Sequence, residues 1–181
     1  MDIKRQIRLE IAAKVAALPA EARGEAVARL CRRLPAILEE ACAGKGLVAA
    51  FVPMPDEIDV TPLLDRLVED GWKVVVPKVE GEEMEFYDYL PGNLEPGAWG
   101  ILEPLPSAAR VDAGEIDVMI VPGRAFTPEG DRLGRGKGFY DRYMSRKGFR
   151  AATVGVCYEC QLAESLPAEP HDRKVGCVEA F

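Results

Sequence analysis

The sequence predicts an α/β fold, a three-layer αβα domain built on a mostly parallel central sheet. Three observations predict it. Four apolar runs have the length of buried strands, at 46–54, 72–79, 115–123 and 150–158. Segments of helical character stand between several of them, and such alternation favours parallel pairing. No linker-like stretch, internal repeat or low-complexity segment interrupts the chain, so one domain over 1–181 is expected.

Each element has its own signal. Ile3, Ile7, Ile11 and Val15 recur at spacing four over residues 2–18, one apolar stripe of a helix that Pro19 ends. Residues 19–43 are rich in alanine and leucine and read as one or two further helices, with Pro35 breaking or restarting the pattern. "GLVAAFVPM" (46–54) is the first buried strand. Thr61 and Pro62 read as the N-cap and first-turn proline of a helix that stops at Gly71. "WKVVVPKV" is the second strand, and alternating "MEFYDYL" (84–90) a shorter, more exposed one. Residues 91–114, rich in Pro and Gly, read as a long surface excursion. "EIDVMIVPG" (115–123) is the next buried strand. A glycine-rich stretch follows, then a helix ending at Gly148, a strand at 150–158, and a tail of loop with a last short strand.

Composition narrows the function. Hydrophobic residues make up 48 % of the 181, enough for a sizeable core, and the net charge of −7 argues against a nucleic-acid-coating protein. No run of eighteen apolar residues suggests a membrane span, and the charged "MDIKRQIRLE" lacks the apolar segment of a signal peptide. Five cysteines, an odd number, fit reduced thiols in a cytoplasmic protein.

Against this acidic background, residues 124–147 carry seven Lys/Arg and three Asp/Glu. Within them "RLGRGKGFYDRY" (132–143) alternates Gly134, Gly136 and Gly138 with Arg132, Arg135 and Lys137. Glycines let backbone N–H groups approach an anion, a helix N-terminus adds free donors, and arginine binds phosphate through two hydrogen bonds. The position between a buried strand and a helix favours a phosphate site over a solvated basic turn. It is not a Walker A loop, since Gly138 follows Lys137, nor G-x-G-x-x-G, since position 139 is Phe. Asp141 reads equally as a Mg²⁺ ligand beside phosphates or as a first-turn acid favoured by the helix dipole.

Other candidates have plainer rivals. Lys4 and Arg8 share a helix face and could reach the same phosphates, although a solvated face explains them as well. Asp56 and Glu57 follow a strand end, where ligands bind in parallel sheets, or simply solvate a loop. Trp72 reads as core and Trp99 as a ligand contact. Cys157, Cys160, His171 and Cys177 offer zinc-type donors on paper. Without a second C-x-x-C they read better as free thiols. His171 has no neighbouring nucleophile to serve as base.

Taken together, "KRQIR", "FVPMPDEIDVTPLL", "GWKVVVPKV", "WGILEP", "IDVMIVPGRAFTPEGDRLGRGKGFYDRYM" and "QLAESLPAEPHD" resemble the 5-formyltetrahydrofolate cyclo-ligase family nearly end to end. The resemblance implies an ATP-dependent ligase of one-carbon metabolism that closes 5-formyltetrahydrofolate to 5,10-methenyltetrahydrofolate, releasing ADP and phosphate. By matching position it implies that ATP is bound by Lys4, Arg8, Arg132, Leu133, Gly134, Arg135, Gly136, Lys137, Gly138, Phe139 and Tyr140. The folate would meet Val52, Glu57, Trp99, Arg135, Gly136, Lys137, Gly138 and Phe139. Lys137 and Arg135 would be catalytic, and Asp141 and Asp172 would hold Mg²⁺. ATP and the folate would be the partners of a monomer, without nucleic acid or membrane. Phe139 stands where many members have Tyr, and Gly176 where an acid often follows. A non-catalytic RNA- or nucleotide-binding protein is the rival reading, and a sugar-phosphate kinase or isomerase a third.

Overall fold

The computed structural model describes residues 2–97 and 101–181. Helix α1 (Ile3–Ala16) starts at Asp2, whose carboxylate accepts the Lys4 N–H at 3.0 Å. Helix α2 (Ala20–Cys42) runs unbroken through Pro35, contrary to the expected break. Leu30, Leu34 and Leu38 are fully buried on one stripe either side of the proline. Keeping that stripe on the sheet outweighs the missing backbone bond.

Strand β1 (Leu47–Ala49) is shorter than the apolar run around it. Residues beyond it stay buried but leave the ladder to enter a loop. Helix α3 (Thr61–Glu69) has Pro62 in its first turn, as expected, but Thr61 is not its cap. Val60 occupies that position, and Asp59 Oδ1 accepts the Thr61 N–H at 2.9 Å. Strands β2 (Lys73–Glu80) and β3 (Glu83–Asp88) form an antiparallel hairpin.

The segment 91–114, expected as a long surface excursion, contains three short strands among its described residues. β4 (Leu94–Pro96) and β5 (Leu102–Pro104) pair with each other, and β6 (Arg110–Val111) adds to β3 as a sheet edge. Prolines and glycines hid these pairings because they lie at edges, where a missing N–H costs little.

Strand β7 (Val118–Val121) is followed by the small ribbon β8 (Ala125–Phe126) and β9 (Arg132–Leu133). Helix α4 (Phe139–Met144), β10 (Ala152–Cys157) and β11 (Cys177–Ala180) complete the chain. The main sheet has seven strands in the order β11-β10-β7-β1-β2-β3-β6. Pairing is parallel from β11 to β2 and antiparallel beyond.

Strand alternation divides the core. Val48, Val74, Ile120 and Val154 face α1, α2 and α3, which contribute Val15, Leu34, Leu38 and Leu64. Ala49, Val75, Met119 and Val121 face the other way, onto Phe86, Phe126 and Tyr143. The third layer is therefore thin: α4 has only six residues, and loops finish the cover. Trp72 is buried core, as expected. Among the described residues no helix is long and apolar enough to cross a membrane.

Candidate active site

Parallel pairing of β1, β7 and β10 brings their carboxyl ends to one rim of the sheet. The loops after β1 and β7 meet there. Helix α1 joins them: Arg8 Nε donates to the Gly134 carbonyl at 2.8 Å. Lys4 Nζ donates to Glu169 Oε2 and Asp172 Oδ2, each at 2.8 Å. So Lys4 and Arg8 are not a solvated face. They clamp the glycine loop and the tail onto one side of the molecule.

The loop shape needs its glycines at two places. Gly136 has φ +96° and Gly138 φ +68°, conformations that side chains rarely adopt. Gly138 sits at the N-terminal boundary of α4. Lys137 between them is exposed. An open groove of about 410 Å³ runs along this turn, lined by Gly136, Lys137, Gly138, Asp141, Arg142, Ser145 and His171.

Arg135 leaves the turn in the other direction, toward the loop after β1. Its Nε and Nη2 both donate to Glu57 Oε1, at 3.1 and 3.0 Å, and Nη2 also meets Asp56. Glu57 Oε2 accepts the Met54 N–H at 3.0 Å, which fixes the carboxylate. Arg124 joins from the end of β7 as a second partner of Asp56. Burial alone would raise the Asp56 carboxyl, but hydrogen bonds and charge from Arg135 and Arg124 outweigh it and hold it below the ordinary range. Burial, aided by the Glu57 charge, pushes the Tyr140 phenol well up, so Tyr140 stays neutral.

The expected metal ligands lie in adjoining segments. Asp141 Oδ1 accepts from Arg132 Nη2 at 2.7 Å and from the Arg173 N–H at 3.0 Å. Arg173 directly follows Asp172, so this N–H to carboxylate bond ties the two acids' segments together. Glu169, His171 and Asp172 bring donor atoms within 4.8 Å of one another. Glu169 and Asp172 supply carboxylate oxygens there, the hard donors that suit Mg²⁺, while Asp141 stands outside this 4.8 Å group. Burial would raise Asp172, but the Lys4 ammonium and the Glu169 N–H outweigh it and lower it.

Other predicted positions fall as follows. Val52 packs at the edge of the first core cluster. Leu133 is buried, and its carbonyl accepts the Arg124 N–H at 2.7 Å, so its side chain is core. Phe139 packs against the second cluster with the Arg142 guanidinium 5.1 Å above its ring. Trp99 lies outside the described residues. Arg124 and Glu169 escaped the sequence reading, since an isolated charge in a loop carries no periodic signal.

A basic, glycine-turned loop on the carboxyl rim of a parallel sheet, with carboxylates beside it, is an arrangement that α/β enzymes use for phosphorylated ligands. The family model for the 5-formyltetrahydrofolate cyclo-ligase family matches residues 1–179. The chain belongs to that family, whose members are ligases of folate metabolism. It is 36 % identical over 132 residues to the 5-formyltetrahydrofolate cyclo-ligase of Mycolicibacterium smegmatis, covering 69 % of this chain and 68 % of the relative. The solution structure of Aquifex aeolicus 5,10-methenyltetrahydrofolate synthetase superposes with TM-score 0.79 at 34 % identity, over 97 % of this chain and 88 % of that one. A 5,10-methenyltetrahydrofolate synthetase from Mycoplasma pneumoniae, at 24 % identity, shares the fold with TM-score 0.79 over 98 % of both chains.

Proposed function

We propose that the chain closes 5-formyltetrahydrofolate to 5,10-methenyltetrahydrofolate at the expense of ATP. The formyl oxygen on N5 attacks the γ-phosphorus, and the bond to the ADP oxygen breaks. N10 then attacks the activated formyl carbon, loses its proton, and the carbon–oxygen bond breaks to release phosphate. Phosphorylation is needed because an amide-like oxygen is a poor leaving group.

The observation that carries this reading is the groove along Gly136–Gly138, where an exposed Lys137 faces solvent between two positive-φ glycines. Among the described residues Lys137 makes no ion pair, so its charge stays available to phosphate. Phosphoryl transfer asks mainly for positioning and charge neutralisation. Lys137 and Arg135 supply the second, one at the groove and one toward the acids of the β1 loop. Lys4, Arg8 and the turn from Gly134 to Tyr140 hold ATP. Val52, Glu57 and the same turn border the folate, with Glu57 accepting N–H donors of the pterin. Asp141 and Asp172 would hold Mg²⁺, which would neutralise phosphate charge when bound. The protein acts as a cytoplasmic monomer on these small molecules; a net charge of −7 disfavours nucleic acid.

Purified protein given ATP, Mg²⁺ and 5-formyltetrahydrofolate should develop the near-UV absorbance of the methenyl product. Lys137→Ala should abolish that signal while circular dichroism stays unchanged. A folded wild type that forms no product with all three present overturns the reading.

A further inference from the structure

Arg132 opens the cationic loop, and its place there suggests an ATP contact. Its geometry points elsewhere. The side chain is 3 % exposed, the most enclosed cation among the ion pairs of the described residues. Its Nη2 donates to Asp141 Oδ1 at 2.7 Å, and Nη1 lies 3.4 Å from the Pro122 carbonyl. The guanidinium rests 5.7 Å from the Tyr140 ring centre. Nε is buried and makes no hydrogen bond.

Two glycines make room for this burial. A Cβ on Gly134 would lie 2.8 Å from Arg132 Nη1, and one on Gly123 would lie 2.7 Å from the Phe126 ring and 3.2 Å from Arg132 Cγ. Gly134 does not have the positive φ of Gly136 and Gly138, so backbone conformation does not require glycine there. The space for the guanidinium does. The first glycine of the alternating triplet therefore serves Arg132, while the other two shape the turn.

We propose that Arg132 is the positioning residue for Asp141, holding its carboxylate to receive the nucleotide's divalent cation, and does not itself contact ATP. This rests on the function proposed above. Both hydrogen bonds to Asp141 fall on Oδ1, from Arg132 and from the Arg173 N–H. They fix the rotamer while Oδ2 is not used by either. Groups that orient a metal-binding carboxylate from behind act on metal affinity and leave the anion site intact.

The test separates the two. Nucleotide affinity is measured by calorimetry with ADP and EDTA, and cation affinity by the free Mn²⁺ resonance signal of the protein–ADP complex. Wild type, Arg132→Lys, Gly134→Ala and Asp141→Asn are compared, with circular dichroism confirming the fold. Gly134→Ala approaches the guanidinium from the other side, so it reports even where a changed Arg132 fails to fold. Arg132→Lys should keep metal-free ADP affinity within about threefold, and both Arg132→Lys and Gly134→Ala should weaken Mn²⁺ about 10- to 100-fold. Arg132→Lys placed on Asp141→Asn should weaken Mn²⁺ no further. A loss of metal-free ADP affinity equal to the Mn²⁺ loss in Arg132→Lys means a direct phosphate contact and overturns the proposal. Additive Mn²⁺ losses in the double variant overturn it as well. A wild type that binds no ADP in either condition instead sinks the proposed function, and this inference with it.

Discussion

Glu57→Gln tests the junction between the glycine turn and the β1 loop. The side chain is 10 % exposed, while that of Arg135 is 31 % exposed. The amide oxygen of Gln can still face Arg135, but without charge. The amide nitrogen would then oppose the Met54 N–H, which now donates to Oε2 at 3.0 Å. That bond is lost, and the Arg135 pair weakens. A hydrogen bond to a charged group contributes about 1.5–3 kcal/mol. Arg135 keeps Asp56 as a partner and is about a third open to water, so the larger figure is discounted. The net cost is about 1–2 kcal/mol, or a fall of about 2–8 °C in Tm for a chain of this size. Calorimetry reads that directly. In steady-state assays following the methenyl absorbance, loss of one charge-assisted bond to the pterin should raise KM for 5-formyltetrahydrofolate about tenfold, with kcat little changed. If neither Tm nor KM moves, Glu57 does not anchor Arg135 or the folate, and the junction drawn here is wrong.

Three further outcomes are expected. Gly130→Ala should destabilise by more than about 3 kcal/mol, because a Cβ there would lie 2.2 Å from the Val175 carbonyl oxygen at φ +89°; a chemical-denaturation midpoint matching wild type would refute this. Asp56 and Asp172 have lowered carboxyl pKa values when folded, so their stabilisation is present above the unfolded value, about 4, and is lost as pH falls through the lower folded values. Asp56→Asn should therefore flatten the fall of Tm below about pH 4, a result read by scanning calorimetry across pH. Lys4→Met should leave Glu169 and Asp172 without their shared cation and weaken ATP binding about tenfold in calorimetric titration; unchanged affinity would remove Lys4 from the nucleotide site.

Much of the architecture was legible because it rests on periodicity. Apolar stretches such as Val74–Val76 and Val118–Val121 marked β2 and β7, since a strand segment buried on both faces needs apolar residues on both. The stripe Ile11, Val15 marked α1 for the same reason. Pro35 misled because a proline's cost is local, whereas the burial of Leu30, Leu34 and Leu38 belongs to the whole helix. β4, β5 and β6 stayed hidden because two- and three-residue edge pairings leave no pattern to count.

The site divides along the same line. Sequence alone marked residues 134–138 as a cationic, glycine-rich turn ahead of a helix, because glycine spacing and charge are local properties. It left Lys4, Arg8, Asp56 and Glu57 as plausible solvated charges. Only the tertiary structure brought Arg8 to Gly134 across 126 residues, Arg135 to Glu57 across 78, and Lys4 to Asp172 across 168. Only it turned Arg132 inward, away from the groove its neighbours line. An isolated charge signals nothing about its partner, and parallel strand pairing is what carries distant loops to one rim, where Coulomb attraction and hydrogen bonding then choose the partners.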